Sequence, residues 1–504
     1  MSTHLKKRVV IIGGGPAGLT AAYELCKEGV ESVVLEKDNT VGGLARTVNY
    51  KGYHFDIGGH RFYTKVETVD KIWREVLPNG DFLRRKRLSR IYYNKNFFYY
   101  PIRVSNVLFN LGAWNSLLIL LSYLKAKLFP ERSVETLDQY VSNHFGKRLY
   151  RIFFKTYTEK VWGIPCTEIT AEWAAQRIKG LSFRTVLRSM FQTQAKYNGS
   201  VIKSLIDQFD YPRKGPGMMW ETMADMIKER GSQVRLGTNV ERFFWTNNSI
   251  DAVEISTSGK KEVIEGTHFI SSMPLREVIQ KLEPPVPEEV LQAATNLNYR
   301  DFITVAVIIN KCDVFPDNWI YVHEPDVKLG RIQNFKNWSP DMVPDSNKTC
   351  LGLEYFCFEG DGLWSMSDQE LIELGKAELI KIGLLQASDF EDGVVIRVPK
   401  AYPVYDSTYK KSLQVVRQFL SGIDNLQTVG RNGMHKYNNQ DHSMLTAMLA
   451  VKNIQGAHHD IWQVNADPEY QEEIKQSDTK EANELALLEH TQPRVPLPKP
   501  VDAI

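Results

Sequence analysis

The residues with the clearest chemical potential are glycines spaced to admit a phosphate. The β-branched run Val9-Val10-Ile11-Ile12 stops at Gly13-Gly14-Gly15-Pro16-Ala17-Gly18, after which Leu19 to Leu25 reads as a helix. Gly13, Gly15 and Gly18 fit the G-x-G-x-x-G spacing. The first permits a tight turn, the second lets backbone approach a pyrophosphate, and the third lets the helix pack on the strand. The helix N-terminus adds N–H groups and a positive dipole end. A second strand, Ser32-Val33-Val34-Leu35, ends at Glu36, where a carboxylate can accept hydrogen bonds from ribose hydroxyls. Gly42-Gly43 and Gly58-Gly59 follow closely, which suits backbone laid against a long, flat ligand. Together these residues imply dinucleotide binding.

Holding such a ligand requires a buried parallel sheet, and the chain is large enough to build one. Its 504 residues suffice for two or three domains. An apolar content of 43% and a charged content of 24% are those of an ordinary globular protein. A formal net charge of +2 offers no argument for a nucleic-acid partner. Cys26, Cys166, Cys312, Cys350 and Cys357 are scattered without C-x-x-C spacing, which argues against a disulfide framework or a metal site and suits a reducing cytoplasm. The first apolar run is strand-length and leads directly into the glycine motif, so no signal peptide is read.

Farther along, Arg90 to Tyr93 and Phe97 to Tyr100 flank Asn94-Lys95-Asn96, predicting a hairpin with a three-residue loop. Helix-spaced apolar positions over 104–128, 135–156 and 171–195, broken at Pro130 and Pro165, predict an inserted helical domain. The first of these segments falls short of the ~18 clean apolar residues that a membrane span needs, because Asn106, Asn110, Asn115 and Ser116 interrupt it. It reads as a core- or partner-facing helix, with oligomer formation through the insert or peripheral membrane contact as alternatives. The nearby Arg84-Arg85-Lys86-Arg87 reads as a solvated face. A helix from Met219 to Glu229 precedes short strands at 234–236, 240–245, 252–255 and 268–272. Runs at 302–309, 319–322 and 350–356 predict an antiparallel sheet, with a helix at 367–383. Leu426 to Arg431 reads as a buried strand and Met444 to Asn453 as a helix. The expected plan is a dinucleotide-binding domain from 1–100, 201–275 and 416–468, a helical insert at 101–200, an antiparallel-sheet substrate domain at 276–415, and a mobile tail at 469–504.

Gly13-x-Gly15-x-x-Gly18, Glu36, Gly42-Gly43 and the distant Gly430-Arg431 together resemble the FAD-binding pattern of the amine oxidase–protoporphyrinogen oxidase superfamily. Within it the chain looks most like the UDP-galactopyranose mutases. Matches include Gly58-Gly59-His60, Tyr100-Pro101, Tyr157-Thr158-Glu159-Lys160-Val161-Trp162, Trp319-Ile320-Tyr321, Arg331 ahead of Asn334, Tyr402-Pro403 and Asn439-Gln440-Asp441-His442-Ser443. The resemblance implies an α/β fold with a glutathione-reductase-type, Rossmann-like FAD domain. It implies FAD bound by Gly13, Gly15, Pro16, Ala17, Gly18, Glu36, Lys37, Gly43, Leu44, Arg46, Gly58, Gly59, His60, Val240, Gly430, Arg431, Asn439, Asp441, His442 and Ser443.

The activity implied is interconversion of pyranose and furanose forms of a UDP-sugar without net redox. Reduced flavin N5 attacks the anomeric carbon as UDP departs, with NAD(P)H as a reductant. Such covalent catalysis splits one hard rearrangement into easier steps, and the departing diphosphate calls for fixed cations. Arg331 aligns with the family's diphosphate-contacting arginine, and Arg213, in the Pro212-Arg213-Lys214-Gly215 loop, is the expected partner across the cleft. His60 resembles a histidine whose loop adjusts at the flavin. Tyr100, Arg103, Tyr157, Trp162, Trp319, Tyr321, Tyr402 and Tyr437 are expected at the nucleotide sugar. Two other readings stay open: an FAD-dependent oxidase or desaturase of an amine, porphyrinogen or isoprenoid, and a flavoprotein that serves assembly through its helical insert.

Overall fold

The computed structural model describes residues 7–78, 80–100, 104–171 and 208–465. Arg8–Ile12 forms a strand covered on both faces, Val9 to Ile12 being almost fully buried. It is central in a five-stranded parallel sheet whose order is Leu426–Thr428, His268–Ser271, Arg8–Ile12, Glu31–Leu35 and Gln233–Arg235. Strands from both ends of the chain thus meet beside the glycine motif. Continuous apolar runs are what a doubly covered parallel sheet requires. Helices Pro16–Lys27, Gly217–Glu229 and Gln440–Ile454 bury one face through Leu19, Met219 and Met444. On the other face Val10, Ile12 and Phe269 pack with Phe243 and Val253 of a second sheet, ordered Lys260–Glu265, Ser249–Thr257, Thr238–Thr246 and Leu282–Glu283.

A seven-stranded sheet carries the other half of the site. Its order is Phe390–Pro403, Tyr299–Ile309, Thr349–Cys357, Arg331–Asn334, Trp319–Val322, Ser89–Tyr93 and Asn96–Tyr99. All neighbours are antiparallel except Trp319–Val322 with Ser89–Tyr93, which run parallel. The hairpin expected around residue 94 therefore lies at the edge of this sheet, not with the nucleotide sheet to which residues 1–100 are allotted above. Its loop has two residues, not three: Asn94 and Lys95 both adopt positive φ, 49° and 59°, the twist that matches antiparallel strands, and Asn96 already belongs to the second strand.

The helix predicted over 104–128 spans Val104–Leu128, with a break at Gly112 (φ 76°, ψ 163°). The segment 135–156 is not one helix. Leu137–Phe145 ends at Gly146 (φ 84°), Lys147–Tyr150 restarts it, and a π-helical turn, Arg151–Lys155, leads into Thr156–Trp162. Among the described residues no helix is long and apolar enough to cross a membrane. Arg103, the helix expected over 171–195 beyond Ala171, and the tail at 469–504 lie outside the described residues.

Candidate active site

The first part of the site is a backbone cradle. Gly13 (φ 101°) donates its N–H to the Leu35 carbonyl at 2.9 Å, closing the turn. A Cβ on Gly18 would sit 1.8 Å from the Gly13 oxygen, so only glycine fits. The helix Pro16–Lys27 starts with Pro16 and Ala17 and has no side-chain cap, leaving its first N–H groups for an anion. Glu36 is buried and accepts from Gly14 N–H at 2.6 Å and Asp38 N–H at 2.9 Å, one on each oxygen. Burial raises its pKa and those two N–H bonds oppose the rise. Each oxygen keeps a second lone pair for a ribose hydroxyl.

Gly42 N–H reaches the Gly14 carbonyl at 2.8 Å, which ties the second glycine pair to the first. Leu44 sits in the turn Gly43–Ala45, and the Arg46 guanidinium closes that turn on the Gly43 carbonyl at 3.1 Å. Gly430 (φ 80°) donates its N–H to Thr446 Oγ1 at 3.0 Å, and a Cβ there would meet Ala17 at 3.1 Å. Asn439 caps Gln440–Ile454 reciprocally with His442, and Asp441, His442 and Ser443 are buried in its first turn. Val240 is buried in the strand anchored by Thr238 N–H on the Glu36 carbonyl at 2.8 Å, and its own carbonyl accepts from Lys281 Nζ at 2.7 Å. Lys37 is exposed. The uncapped helix start, the close glycine contacts and the spare Glu36 lone pairs fit an extended flavin dinucleotide.

Gly58 (φ 147°) and Gly59 carry the chain from this cradle to the antiparallel sheet, where a Gly59 Cβ would lie 3.0 Å from Gln333 Nε2. Burial, then Arg431 and Arg331, push the His60 pKa down to about 3, so its imidazole is neutral. His60 therefore lies near Arg331 of the antiparallel sheet and Arg431, which follows the parallel sheet's strand Leu426–Thr428.

Around it stands a wall of arginine and tyrosine. Arg331 donates through Nε to Glu354, which is fully buried and receives Gln333 Nε2 at 2.8 Å on its other oxygen. The two ion-pair partners face each other across adjacent strands. Burial opposes the Arg331 cation, but Glu354 and nearby tyrosines more than offset this and hold its pKa above the usual range. Tyr157 stacks on His323 at 4.9 Å and meets Tyr321 edge-on at 5.4 Å. Tyr321 also meets Tyr100 at 5.2 Å. Tyr402 stacks on Tyr437 at 5.6 Å, with the Arg431 guanidinium 5.4 Å and 4.7 Å from their ring centres. Burial pushes the Tyr402 hydroxyl up to about 12, and Tyr157 is likewise raised. His60, Tyr157, Arg331 and Tyr402 all keep accessible surface although they lie deep in the fold, as residues lining an internal cleft do.

Local structure explains the placement. The π-helical turn before Thr156 re-aims the helix that carries Tyr157. Lys160 Nζ then donates to the carbonyls of Val322, Glu324 and Leu329 at 3.3, 2.6 and 3.1 Å, fixing that helix to the strands bearing Tyr321 and Arg331. Burial draws the Lys160 pKa down to about 8.

Three expectations need correction or addition. Arg213 is not brought to this wall: its side chain is 42% exposed, Nη1 pairs with Asp341 at 3.1 Å and Nε donates to the Gly80 carbonyl. The loop puts its glycines, not its arginine, inward, because Gly215 and Gly217 press on Thr47 where a Cβ would clash. Trp162 is buried in the helical core with Phe98 and Phe153, its ring 6.3 Å from Tyr405. The arginines that do accompany Arg331 are Arg61 and Arg87, neither singled out from sequence. Arg87 lies 5.4 Å from the ring centres of both Tyr100 and Trp319. Its Nε and the Trp319 Nε1 are buried with no hydrogen-bond partner in the protein. Burial and then Arg87 lower the Arg61 pKa to about 10, so two cations are held side by side. Adjacent cations, with the Arg87 Nε and Trp319 Nε1 donors orphaned beside them, are what an anionic ligand would satisfy. The available signals were that Arg61 follows His60 directly and that Arg87 ends a basic run.

Residues 16–421 match the family described as flavin containing amine oxidoreductase, and the chain belongs to that family. Its fold is shared with reduced UDP-galactopyranose mutase, with a TM-score of 0.79 at 19% identity over 93% of this chain and 100% of that one. Putrescine oxidase bound to putrescine is also similar, with a TM-score of 0.56 at 15% identity over 90% and 99% of the two chains. Among curated relatives, a 1-hydroxycarotenoid 3,4-desaturase from Flavobacterium sp. (strain P99-3) is 25% identical over 276 residues, covering 49% of this chain and 53% of the desaturase. An L-amino-acid oxidase from Crotalus adamanteus is 34% identical over 121 residues, covering 21% of this chain and 23% of the oxidase. The chain thus spans about half the length of the first relative and about a quarter of the second. The fold class read from sequence, a Rossmann-like α/β domain joined to an antiparallel sheet, is the one observed.

Proposed function

We propose that this protein is an FAD-dependent sugar-nucleotide mutase that interconverts the pyranose and furanose forms of a UDP-sugar. The observation that carries this reading is the cleft wall of Arg331, Arg61, Arg87 and Arg431 interleaved with tyrosines, in which Arg87 Nε and Trp319 Nε1 have no partner. When bound and reduced, the flavin supplies the nucleophile for the anomeric carbon, and no net oxidation follows. NAD(P)H is a suitable reductant, and a cytoplasmic location suits the five free thiols.

Arg87 holds the diphosphate as negative charge develops on it, its unpartnered Nε needing no reorganisation, and Arg61 adds a second positive charge beside it. Arg331 shares its charge with Glu354, so its role is to orient an oxygen by hydrogen bonding, with little net charge supplied. Tyr157 and Tyr402, whose hydroxyl pKa burial raises, keep their protons at neutral pH and donate to phosphate or sugar oxygens, with Tyr321 and Tyr437 beside them. Tyr100 offers its ring to the nucleobase with Arg87 beside it, while Trp319, buried and stacked on Trp338 at 5.2 Å, offers its Nε1 as a donor. His60 is neutral and can position a hydroxyl without adding a third cation beside Arg331 and Arg431.

Titrating purified flavoprotein with UDP tests this reading. Saturable perturbation of the flavin spectrum, lost on raising ionic strength, supports it; no perturbation up to millimolar UDP contradicts it. A second reading, an FAD-dependent oxidase or desaturase, draws on one observation: Glu354 neutralises Arg331, so part of the cleft wall is suited to an uncharged substrate. An amine, porphyrinogen or isoprenoid that bleaches the flavin would favour it.

A further inference from the structure

The helix Val104–Leu128 is built inside out for a helix on a water-facing surface. Its polar side chains turn toward the protein or its own backbone. Asn110 donates to the Phe97 carbonyl at 2.9 Å, Asn115 accepts from Arg148 at 2.6 Å, and Ser122 accepts from Arg148 N–H at 3.1 Å. Beyond the break at Gly112 the opposite face is apolar and open: Trp114 is 70% exposed and Leu121 52%, and Leu128 and the adjoining Phe129 exceed 70%, while Phe109, before the break, is 89% exposed. No other stretch of the described residues exposes large apolar side chains in such density. Contiguous patches of this kind mark an interaction surface.

Charge decides what covers it. Val104 to Leu124 contain no charged residue at all. A helical partner, including a second copy of this chain, would want charged positions flanking the seam to fix register. Here the charges begin only at the C-terminal end, where exposed Lys125, Lys127, Arg132 and Lys147 outnumber Glu131 and Glu135. Apolar and aromatic side chains on one face with lysine and arginine at its rim fit the boundary of an anionic bilayer. The helix cannot span one. We propose that this face seats the protein on anionic phospholipid, with the helix lying in the plane of the interface and Trp114, Leu121 and Phe129 inserted.

The test uses the intact flavoprotein with phosphatidylcholine vesicles and with mixed phosphatidylcholine–phosphatidylglycerol vesicles. Co-sedimentation with the mixed vesicles, weakened by salt, is expected, and Trp114→Glu with Leu121→Glu should reduce it about tenfold or more while flavin content stays unchanged. Should that variant lose its flavin, Trp114→Phe provides the check: brominated phospholipid quenches tryptophan emission in the wild type, and this substitution removes the insertion-dependent part. The proposal is overturned if the wild type ignores both vesicle types, if the double glutamate variant keeps its flavin and binds as the wild type does, or if Trp114→Phe leaves the quenching unchanged. It is equally overturned if the substitutions instead abolish a concentration-dependent dimer seen by light scattering.

Discussion

Replacing Arg331 by alanine has a cost that the structure lets us estimate. Glu354 is fully buried, directly opposite Arg331 on the neighbouring strand, and Gln333 Nε2 at 2.8 Å is its other donor. Removing one partner of a buried ion pair costs about 3–5 kcal/mol, because the survivor keeps its desolvation penalty. Gln333 retains one hydrogen bond to the carboxylate, which places the expected loss at about 3 kcal/mol. The substitution also changes the pH dependence. Burial already raises the Glu354 pKa, with Arg331 and Gln333 opposing it, so losing Arg331 raises it further. A carboxyl whose folded pKa exceeds its unfolded value binds more protons when folded, so the variant should lose stability as pH rises through that interval. Glu354→Gln in the same background should return part of the loss and flatten the profile. Urea unfolding followed by tryptophan emission over a pH series measures all three proteins. A loss below about 1 kcal/mol, or an unchanged pH profile in Arg331→Ala, would refute the pairing argument.

Other outcomes follow from the same contacts. Arg87→Gln should weaken UDP binding about tenfold to a hundredfold, the worth of a charge-assisted hydrogen bond, while Arg213→Ala should leave it unchanged; flavin-detected titration distinguishes them. Gly18→Ala forces a Cβ to within 1.8 Å of the Gly13 oxygen, so the purified protein should carry little flavin and lose about 1–3 kcal/mol or more of stability. Burial lifts the Asp56 pKa from 3.8 to about 7, against the hydrogen bonds from Tyr211 and Thr47. The folded state therefore holds an extra proton in that interval, and stability should fall as pH rises from 3.8 to about 7. Asp56→Asn should remove that slope in thermal melts.

The nucleotide half of the fold was legible because its signals are local. A β-branched run, a glycine triad and an acidic residue after the next strand each report on their own neighbourhood, and the sheet at 300–356 shows the same directness in Tyr299–Ile309. Phe390–Pro403 went unread although it is the longest partner of that strand. It places Glu391, Asp392, Arg397 and Lys400 among its apolar residues, which blurs the run. The lining of the candidate site was legible where a motif carries it, as with His60, Tyr157 and Arg331, which the fold brings together. Arg87 was not, because a four-residue basic run gives no sign that its last member turns inward. Arg84 pairs with Asp210 and Arg85 with the Asn337 carbonyl, while Arg87 meets Trp319, which lies far along the chain. Glu354 was missed for a related reason: its partnership with Arg331 depends on strand register, and one residue of slip would turn it to the other face.

The most direct measurement incubates the purified flavoprotein anaerobically with UDP-galactopyranose, once oxidised and once reduced with dithionite, and separates the sugar nucleotides by chromatography. A furanose product is expected from the reduced protein alone, with no net consumption of reductant. No ring-isomerised product from the reduced protein, together with hydrogen peroxide formation when the oxidised protein is given an amine or lipid in air, would contradict the mutase reading.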